Sequence, residues 1–346
     1  MTYLLSLLDK SPVAEGESAE SALARTVNLA RQAEAWGYHR YWLAEHHNNT
    51  QLACPTPEIL AAYILAGTRR IRVGAGGVML QHYSPYKVAE NVNLLAALAP
   101  GRVDIGIGKA PGGLPLSTKA LQAGRDPNLR LDFEHLIGQL NSYLQSSAAP
   151  PVASATGEEA PGFGAQLQVT PRPARGATAF LLGASVASAD LAVKLNWDFV
   201  YAAHINGDEA AWQSTLAHYA RISGSKPPIL AVSVVVADTA QEAAQLAQGF
   251  ERFQVQVGDG QPVTVGSLKQ AQEFVRQAGG GTHKITEREA CIIHGTSEQV
   301  HARLAQLQAL YGVREFVIDN PLPTGRQRVR SIELLARGLR EVAASE

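Results

Sequence analysis

The chain has 346 residues, of which 46% are hydrophobic and 18% charged, and its formal net charge is -1. This composition is typical of a globular protein, and the near-neutral charge without a long basic run disfavours nucleic acid or an anionic membrane as a partner. No apolar run reaches the ~18 residues of a membrane span. The two distant cysteines, Cys54 and Cys291, argue against a disulfide framework and favour the cytoplasm.

The sequence predicts eight buried strands separated by helices. The predicted strands are Tyr3–Leu8, Arg40–Ala44, Ile71–Leu80, Val103–Gly108, Ala179–Leu182, Phe199–Ala203, Ile229–Ala237 and Glu315–Ile318. Helical spacing of apolar residues occurs over 21–36, 57–68, from Pro85 onward, and over 131–144, 188–195, 208–221, 239–250, 296–311 and 326–343. Such alternation predicts an α/β protein with one (β/α)8 TIM-barrel domain over residues 1–346.

Two segments interrupt the alternation of strands and helices. Ser146–Ala165 is rich in Ala, Pro, Ser and Gly, and is predicted to be an irregular insert. Gln254–Arg288, between the seventh and eighth predicted strands, contains several glycines and no clear period. Because long irregular segments of compact domains are commonly lids, we expect this longest insertion to be a mobile lid.

Three polar residues, Glu45, His46 and His47, directly follow the apolar run of the second predicted strand. In barrels the chemistry collects at the carboxyl ends of the strands, so these side chains are expected to line a polar pocket. Histidine titrates near neutral pH and suits general acid or base catalysis. A surface loop that contains two histidines by chance is the structural alternative.

Glycines and a lysine mark the ends of the third and fourth predicted strands. Gly76 and Gly77 belong to a glycine-rich stretch whose backbone would approach a flat ligand or simply form a tight turn. Lys109 follows the fourth strand, and its charge would suit either a phosphate or an exposed turn. The spacing of a P-loop is missing.

A turn of small residues links the fifth predicted strand to a helix, and it contains Gly183, Ala184, Ser185 and Ser188. Free N–H groups and the helix dipole would bind an anion there, although a serine that merely caps the helix would fit equally well. With Lys109 and the glycines, the turn suggests a phosphorylated planar cofactor across the top of the barrel.

Five stretches of the sequence together resemble the bacterial luciferase-like family of flavin-dependent monooxygenases. They are WLAEHH at 42–47, IRVGAGGVML with a following Ser-Pro at 71–85, PGRVDIGIG at 100–108, LGAS with a following Ser-Ala at 182–189, and GTSEQV at 295–300. Their order and spacing over most of the chain carry the resemblance.

The resemblance implies a TIM barrel that binds reduced FMN and uses O2 to oxygenate an aldehyde or another small organic substrate. It implies that His46 serves the flavin chemistry as a base, with Glu45 beside it as a partner, and that His47 is structural. It also implies a homodimer and a separate reductase that supplies the reduced flavin.

The cofactor contacts implied by the resemblance are a non-prolyl cis peptide at Gly76-Gly77 and phosphate contacts from Ser185 and Ser188. Lys109 stands where relatives commonly have arginine, so the bidentate fork of a guanidinium is lost there. The lid of the family corresponds to Gln254–Arg288.

Three alternatives remain open at this point. The same fold is used with a deazaflavin for hydride transfer, and a flavin-binding protein without turnover would share the motifs. A zinc hydrolase would need further ligands from scattered residues such as His82, His204 or His294.

Overall fold

Eight parallel strands form a closed barrel in the computed structural model, which describes residues 3–125, 132–148, 167–205, 207–224, 226–323 and 325–345. In chain order the strands are β1 Leu4–Asp9, β2 Arg40–Leu43, β3 Arg72–Met79, β4 Val103–Gly108, β5 Thr178–Gly183, β6 Asp198–Ala202, β7 Ile229–Val236, β8 Glu251–Val257, β9 Val263–Val265, β10 His283–Glu289, β11 Ile292–Gly295 and β12 Glu315–Asp319. The barrel runs through β1 to β7 and closes through β12, which pairs with both β7 and β1. The predicted (β/α)8 barrel is confirmed.

Helices cover the outside of the barrel. They are α1 Ala19–Trp36, α2 Pro57–Ala66, α3 Pro85–Leu98, α4 Pro115–Leu121, α5 Phe133–Ala148, α6 Val186–Leu195, α7 Glu209–Ile222, α8 Ala240–Leu246, α9 Leu268–Gln277, α10 Ser297–Tyr311 and α11 Arg326–Ser345. Residues 146–148 of the predicted insert belong to α5, and residues 149–165 lie outside the described part of the chain. None of the helices described is long and apolar enough to cross a membrane.

Local sequence explains where the helices begin and end. Ser18 precedes α1 and accepts a hydrogen bond from the N–H of Ser21, and Gly37 ends the helix with φ 87°. Thr296 and Gln299 form a reciprocal capping box at the start of α10. These caps fall at the helix boundaries that the spacing of apolar residues predicts.

Successive residues of each strand face two separate apolar cores. The inner core of the barrel contains Leu8, Trp42, Phe180, Val200 and Val317. The outer core lies between strands and helices and contains, among others, Tyr41, Leu43, Leu181, Phe199 and Phe316. At the amino ends of the strands Arg40 bonds both Asp104 and Glu315, at 2.9 and 2.8 Å, and fills that end with buried ion pairs. Only the carboxyl ends of the barrel strands are therefore left to hold an active site.

Strand β7 pairs with two different strands on the same side. Its first half pairs with β6, with Tyr201 opposite Leu230, and its second half pairs with β11, with His294 opposite Val235. The sequence analysis did not predict β11, which is a ninth parallel strand that takes over where β6 ends. The chain after β6 therefore leaves the sheet at the carboxyl end of the barrel.

The segment between β7 and β12 contains regular structure. Strands β8, β9 and β10 form an antiparallel sheet, and α9 packs against it through a small core of Phe253, Val255 and Ala271. The prediction of an irregular stretch over Gln254–Arg288 is therefore wrong. Phe253, Val255 and Val257 alternate with polar residues, which is the period of a half-buried strand between the glycines.

Candidate active site

The residues that the sequence singled out lie at the carboxyl ends of four neighbouring strands. Glu45 and His46 follow β2, Gly76 and Gly77 lie in β3, Lys109 follows β4, and Gly183, Ala184, Ser185 and Ser188 form the turn after β5. Strands β2, β3, β4 and β5 are consecutive in the barrel. The structure therefore brings the predicted residues to one side of the barrel mouth.

The Glu45 carboxylate is buried and bonded to three neighbouring groups. Its Oε1 atom lies 2.6 Å from Nε2 of His47 and accepts a hydrogen bond from the Tyr83 hydroxyl at 2.8 Å. Its Oε2 atom accepts a hydrogen bond from the N–H of Met79 at 3.0 Å. The expected pairing of Glu45 with His46 is therefore wrong, and the carboxylate instead ties the end of β2 to the end of β3.

His46 has a buried ring nitrogen that is not used by the protein. Its Nδ1 atom has no hydrogen-bond partner among the residues that the structure describes. Burial and, to a lesser extent, the charge of Lys10 lower the pKa of the imidazole, Asp319 opposes them, and the resulting pKa is about 4. At neutral pH His46 is thus an uncharged imidazole that can accept a hydrogen bond or a proton from a ligand.

The peptide bond between Gly76 and Gly77 is cis, as the resemblance implied. A Cβ atom on Gly77 would lie 2.5 Å from the carbonyl oxygen of Gly106, so β3 and β4 could not approach each other as they do. A Cβ atom on Gly76 would lie 3.0 Å from the Trp42 ring inside the barrel. The two glycines are needed for packing, in addition to any contact with a ligand.

Lys109 lies on the rim of the barrel mouth. Its side chain is exposed, and Nζ lies 5.9 Å from the centre of the Phe133 ring at the start of α5. The side-chain amide of Gln81 donates hydrogen bonds to the carbonyls of Lys109 and Ala110, at 3.3 and 2.5 Å. The backbone of this loop is held, while the ammonium group stays accessible to an anion.

The turn after β5 displays two hydroxyl groups at the start of α6. Ser185 accepts a hydrogen bond from the N–H of Ser188 at 3.3 Å, and the two Oγ atoms lie 3.0 Å apart. A Cβ atom on Gly183 would lie 2.3 Å from Cβ of Ser188, so glycine lets the helix fold back against the strand end. Ala184, between them, is half-buried. Ser185 therefore caps α6 and leaves first-turn N–H groups available to a ligand.

Four further polar residues lie at the barrel mouth, and the sequence analysis did not recognise them as a group. Lys10 follows β1, Asp319 ends β12, Ser233 belongs to β7, and His204 follows β6. Nζ of Lys10 lies 2.8 Å from each carboxylate oxygen of Asp319. The strand-end rule that singled out Glu45 applied equally to Lys10 and Asp319, because each follows or ends an apolar strand.

The histidines considered for a zinc site belong to or follow three different strands. Nε2 of His82 lies 2.8 Å from the carbonyl oxygen of Pro111, His294 is exposed on β11, and His204 is at the end of β6. Among the residues described, no group of three or more His, Cys, Asp or Glu side chains could hold a metal ion. The geometry gives the zinc alternative no support.

Comparison with known proteins identifies sequence relatives along nearly the whole chain. The sequence model of the luciferase-like monooxygenase family matches residues 1–314. The chain is 41% identical over 337 residues to the N-acetyl-S-alkylcysteine monooxygenase of Bacillus subtilis (strain 168), which covers 96% of this chain and 97% of that protein.

Solved structures agree with the sequence relatives. Apo-MsnO8 superposes with a TM-score of 0.73 at 31% identity and covers 98% of both chains. The oxygenating constituent of 3,6-diketocamphane monooxygenase from the CAM plasmid of Pseudomonas putida, in complex with FMN, has a TM-score of 0.68 at 18% identity and covers 97% of both chains. This second similarity shows the fold alone. The chain belongs to the luciferase-like monooxygenase family, a family of flavin-dependent oxidoreductases.

Proposed function

We propose that this chain is an FMN-dependent monooxygenase, which uses reduced flavin and O2 to oxygenate a small organic substrate. The buried Nδ1 atom of His46, unbonded within the described residues and placed at the barrel mouth, carries the proposal. The 41% identity to an N-acetyl-S-alkylcysteine monooxygenase supports a thioether of this type as the first substrate to test. FMN bound by a protein of the same fold supports the choice of cofactor.

The strand ends on the β4–β5 side fit the phosphate group of FMN. Ser185 and Ser188 offer hydroxyl groups at the N-terminus of α6, where the helix dipole favours an anion. Lys109 adds an exposed positive charge at the end of the neighbouring strand. When bound, FMN supplies the reaction with O2, which is chemistry of the cofactor rather than of side chains.

His46 would hold or move a proton at its Nδ1 atom. With a pKa of about 4, lowered mainly by burial, the imidazole is neutral at pH 7, so a ring nitrogen has a lone pair for a hydrogen bond or a proton from the ligand, while the low pKa makes it a weak base. Its backbone N–H donates to the carbonyl of Cys54 at 3.0 Å, and the preceding Glu45 is fixed by its bonds to β3. The imidazole is therefore held by its backbone while the ring nitrogen remains available.

The unit formed by β8, β9, α9 and β10 is a candidate lid of the site. The side-chain oxygen of Gln277 in α9 accepts a hydrogen bond from the N–H of Leu116 in α4 at 3.0 Å. This contact joins the unit to the element that follows β4, three strands away from β7 in the barrel. Closure over a bound ligand would slow hydrogen exchange of the amides in α9, and unchanged exchange would argue against a lid.

Titration with reduced FMN in the absence of O2, followed by addition of labelled O2 and N-acetyl-S-methylcysteine, tests the proposed function. We expect saturable flavin binding and a product that contains one labelled oxygen atom by mass spectrometry. His46→Ala should still bind FMN but lose about 10²–10⁴-fold in product formation, because a general base contributes that much. His135→Ala, which removes an exposed histidine of α5, is the matched control and should behave as wild type.

Other results of this experiment would favour one of the alternative functions. Wild-type turnover by His46→Ala would remove the assigned base, and absence of flavin binding would refute the whole proposal. Reduction or oxidation of a substrate with a deazaflavin and without O2 would establish the hydride-transfer alternative. Flavin binding without turnover of any thioether, aldehyde or ketone would favour a non-catalytic flavin-binding protein.

We further propose a cytoplasmic homodimer that receives reduced flavin from a separate reductase. Neighbouring helices α2 and α3 each expose two large apolar side chains one helical turn apart. These are Ile59 and Tyr63, 71% and 67% exposed, and Leu94 and Leu98, 51% and 72% exposed. A second copy of the chain would cover this apolar surface. Tyr63→Lys with Leu98→Lys should then sediment as a monomer, and a wild-type monomer would contradict the proposal.

A further inference from the structure

The carboxyl ends of β1, β12, β7 and β6 carry polar residues on the strands that hold none of the predicted cofactor contacts. They are Lys10, Asp319, Ser233 and His204, here called the polar arc. We propose that the polar arc binds a carboxylate of the substrate, with Lys10 supplying the charge and His204 a hydrogen bond. This inference rests on the proposed function, because it assigns the substrate end of the same site.

An ion pair anchors the polar arc. Nζ of Lys10 lies 2.8 Å from each oxygen of Asp319, and the hydroxyl group of Ser233 donates to Oδ2 of Asp319 at 3.3 Å. The Asp319 side chain is 2% exposed, whereas that of Lys10 is 29% exposed. The negative charge is covered by protein, whereas the Lys10 side chain is partly exposed, and its ammonium group has three N–H donors, of which Asp319 needs no more than two.

His204 is close enough to the ion pair to interact electrostatically with Lys10 and Asp319, and one of its ring nitrogens is not used by the described residues. Its Nδ1 atom is buried, and no residue in the described ranges bonds to it. Buried polar atoms are nearly always bonded, so such an atom normally gains its partner from water or a ligand. Burial, opposed by Asp319 and aided by Lys10 and Arg252, lowers the pKa of His204 to about 4. At neutral pH the ring is uncharged and forms hydrogen bonds without repelling either charge.

The charges around the polar arc favour an anion. Burial is the largest single effect and raises the pKa of Asp319, but Lys10, His204 and Arg252 together outweigh it and hold the pKa at about 2. Arg252, on β8 of the candidate lid, is a second cation that acts on both Asp319 and His204. Two cations, Lys10 and Arg252, thus lie near the one carboxylate of the polar arc, and a carboxylate ligand would balance the second positive charge.

The phosphate group of FMN is the other anion that Lys10 would suit. The hydroxyl groups of Ser185 and Ser188 already offer a phosphate position at the end of β5. Strands β6, β7 and β12 lie between β5 and β1, so Lys10 stands on a different part of the rim. We therefore assign Lys10 to the substrate carboxylate, and the experiment below separates the two anions.

Two ligands that differ by one charge test the polar arc without turnover. N-acetyl-S-methylcysteine and its primary amide are titrated calorimetrically into the full-length protein, with and without FMN. We expect the acid to bind about 10- to 100-fold more tightly than the amide, because hydrogen bonds to a charged group are stronger. The ¹⁵N resonance of Nδ1 in His204 should shift on binding of the acid, and it should disappear from the spectrum of His204→Phe.

Paired substitutions test the role of the charge. Lys10→Met combined with Asp319→Asn removes both charges and leaves no unpaired buried carboxylate. This double variant should lose the preference for the acid, whereas Lys10→Arg should retain it, and thermal unfolding checks that both are folded. The proposal is overturned if wild type binds acid and amide equally or binds neither, or if the preference persists in the double variant.

Flavin titrations distinguish failure of this inference from failure of the proposed function. Wild type and the double variant should prefer FMN over riboflavin to the same extent. Loss of the preference for FMN in the double variant would indicate that Lys10 binds the flavin phosphate. This result would overturn the assignment of Lys10 to the substrate carboxylate. A wild-type protein that binds no flavin but still prefers the acid would refute the proposed function and support the polar arc.

Discussion

Removing the carboxylate of Glu45 should destabilise the protein through three groups at once. Glu45→Ala removes the shared partner of Nε2 of His47, the hydroxyl group of Tyr83 and the N–H of Met79. The first two lie 3.4 Å apart and can then bond only to each other, whereas the N–H of Met79 is left unpaired. The Glu45 side chain is 1% exposed, so water reaches these groups only if the end of β2 rearranges. The substitution therefore tests whether this carboxylate is structural or takes part in the reaction.

The expected loss follows from the hydrogen bonds of Glu45. An unsatisfied buried donor or acceptor costs about 1–3 kcal/mol, and the half-buried Tyr83 can turn to solvent at the lower end of this range. Because the Tyr83 hydroxyl and His47 can partly satisfy each other, we expect Glu45→Ala to lower the free energy of unfolding by about 2–5 kcal/mol. Glu45→Gln keeps the shape and a carbonyl oxygen for Met79, and should cost about 1–2 kcal/mol.

Urea unfolding of the two variants and of wild type measures these differences directly. Glu15→Ala removes an exposed glutamate and is the matched control, with an expected change within about 0.5 kcal/mol. At a temperature where all variants are folded, Glu45→Gln should keep most of the oxygenation rate, because His46 does not bond to Glu45. A Glu45→Ala variant as stable as wild type would refute the structural role of Glu45. A stable but inactive Glu45→Gln variant would indicate that Glu45 takes part in the reaction.

Two further predictions follow from burial and from close packing. Because folding lowers the pKa of His46 and of His204 from 6.5 to about 4, the unfolded chain binds more protons between these values, and stability should fall as pH drops from 6.5 to 4. The free energy of unfolding should fall by about 3 kcal/mol for each imidazole. Denaturant titrations of His204→Gln should lack the part of this loss that comes from His204. A free energy of unfolding that stays constant between pH 6.5 and 4 would contradict the pKa shifts. Gly183→Ala places a Cβ atom 2.3 Å from Cβ of Ser188 and should destabilise the protein by about 1–3 kcal/mol in thermal unfolding. Gly176→Ala is the control and should leave stability unchanged, because no atom lies within 4 Å of its new Cβ. Equal melting temperatures of the two variants would show that the turn after β5 adjusts to a Cβ atom without cost.

The barrel strands could be predicted because their sequences need no tertiary information. Parallel strands covered on both faces are continuous apolar runs, and segments such as Ile229–Val236 contain little else. Helix ends were equally visible, since Gly37 and Gly312 follow the last apolar residues and adopt the left-handed conformation. The eight-stranded barrel followed from the number and order of these segments.

Two kinds of strand were missed for different physical reasons. Strand β11 has four residues, and its place in the barrel depends on β7 continuing beyond the end of β6. Strand β8 has a clear alternation at Phe253 and Val255, but its pairing with β9 and β10 is antiparallel and lies outside the repeating pattern. A short strand or an inserted sheet can be recognised only when the strands that pair with it are known.

The sequence determined by itself that Glu45 and His46 directly follow a buried strand, because the apolar run stops at the point where the polar residues begin. Alternation in an extended chain also implied that Glu45 and His47 point to the same side, although only the hydrogen bond between them made this evident. Tertiary structure alone decided that Lys10, Asp319 and His204 meet, because their strands are distant in sequence and become neighbours only when the barrel closes. Barrel closure brings distant strand ends together, and this is why the sequence could mark Lys10 and Asp319 as strand-end residues but could not show that they are neighbours.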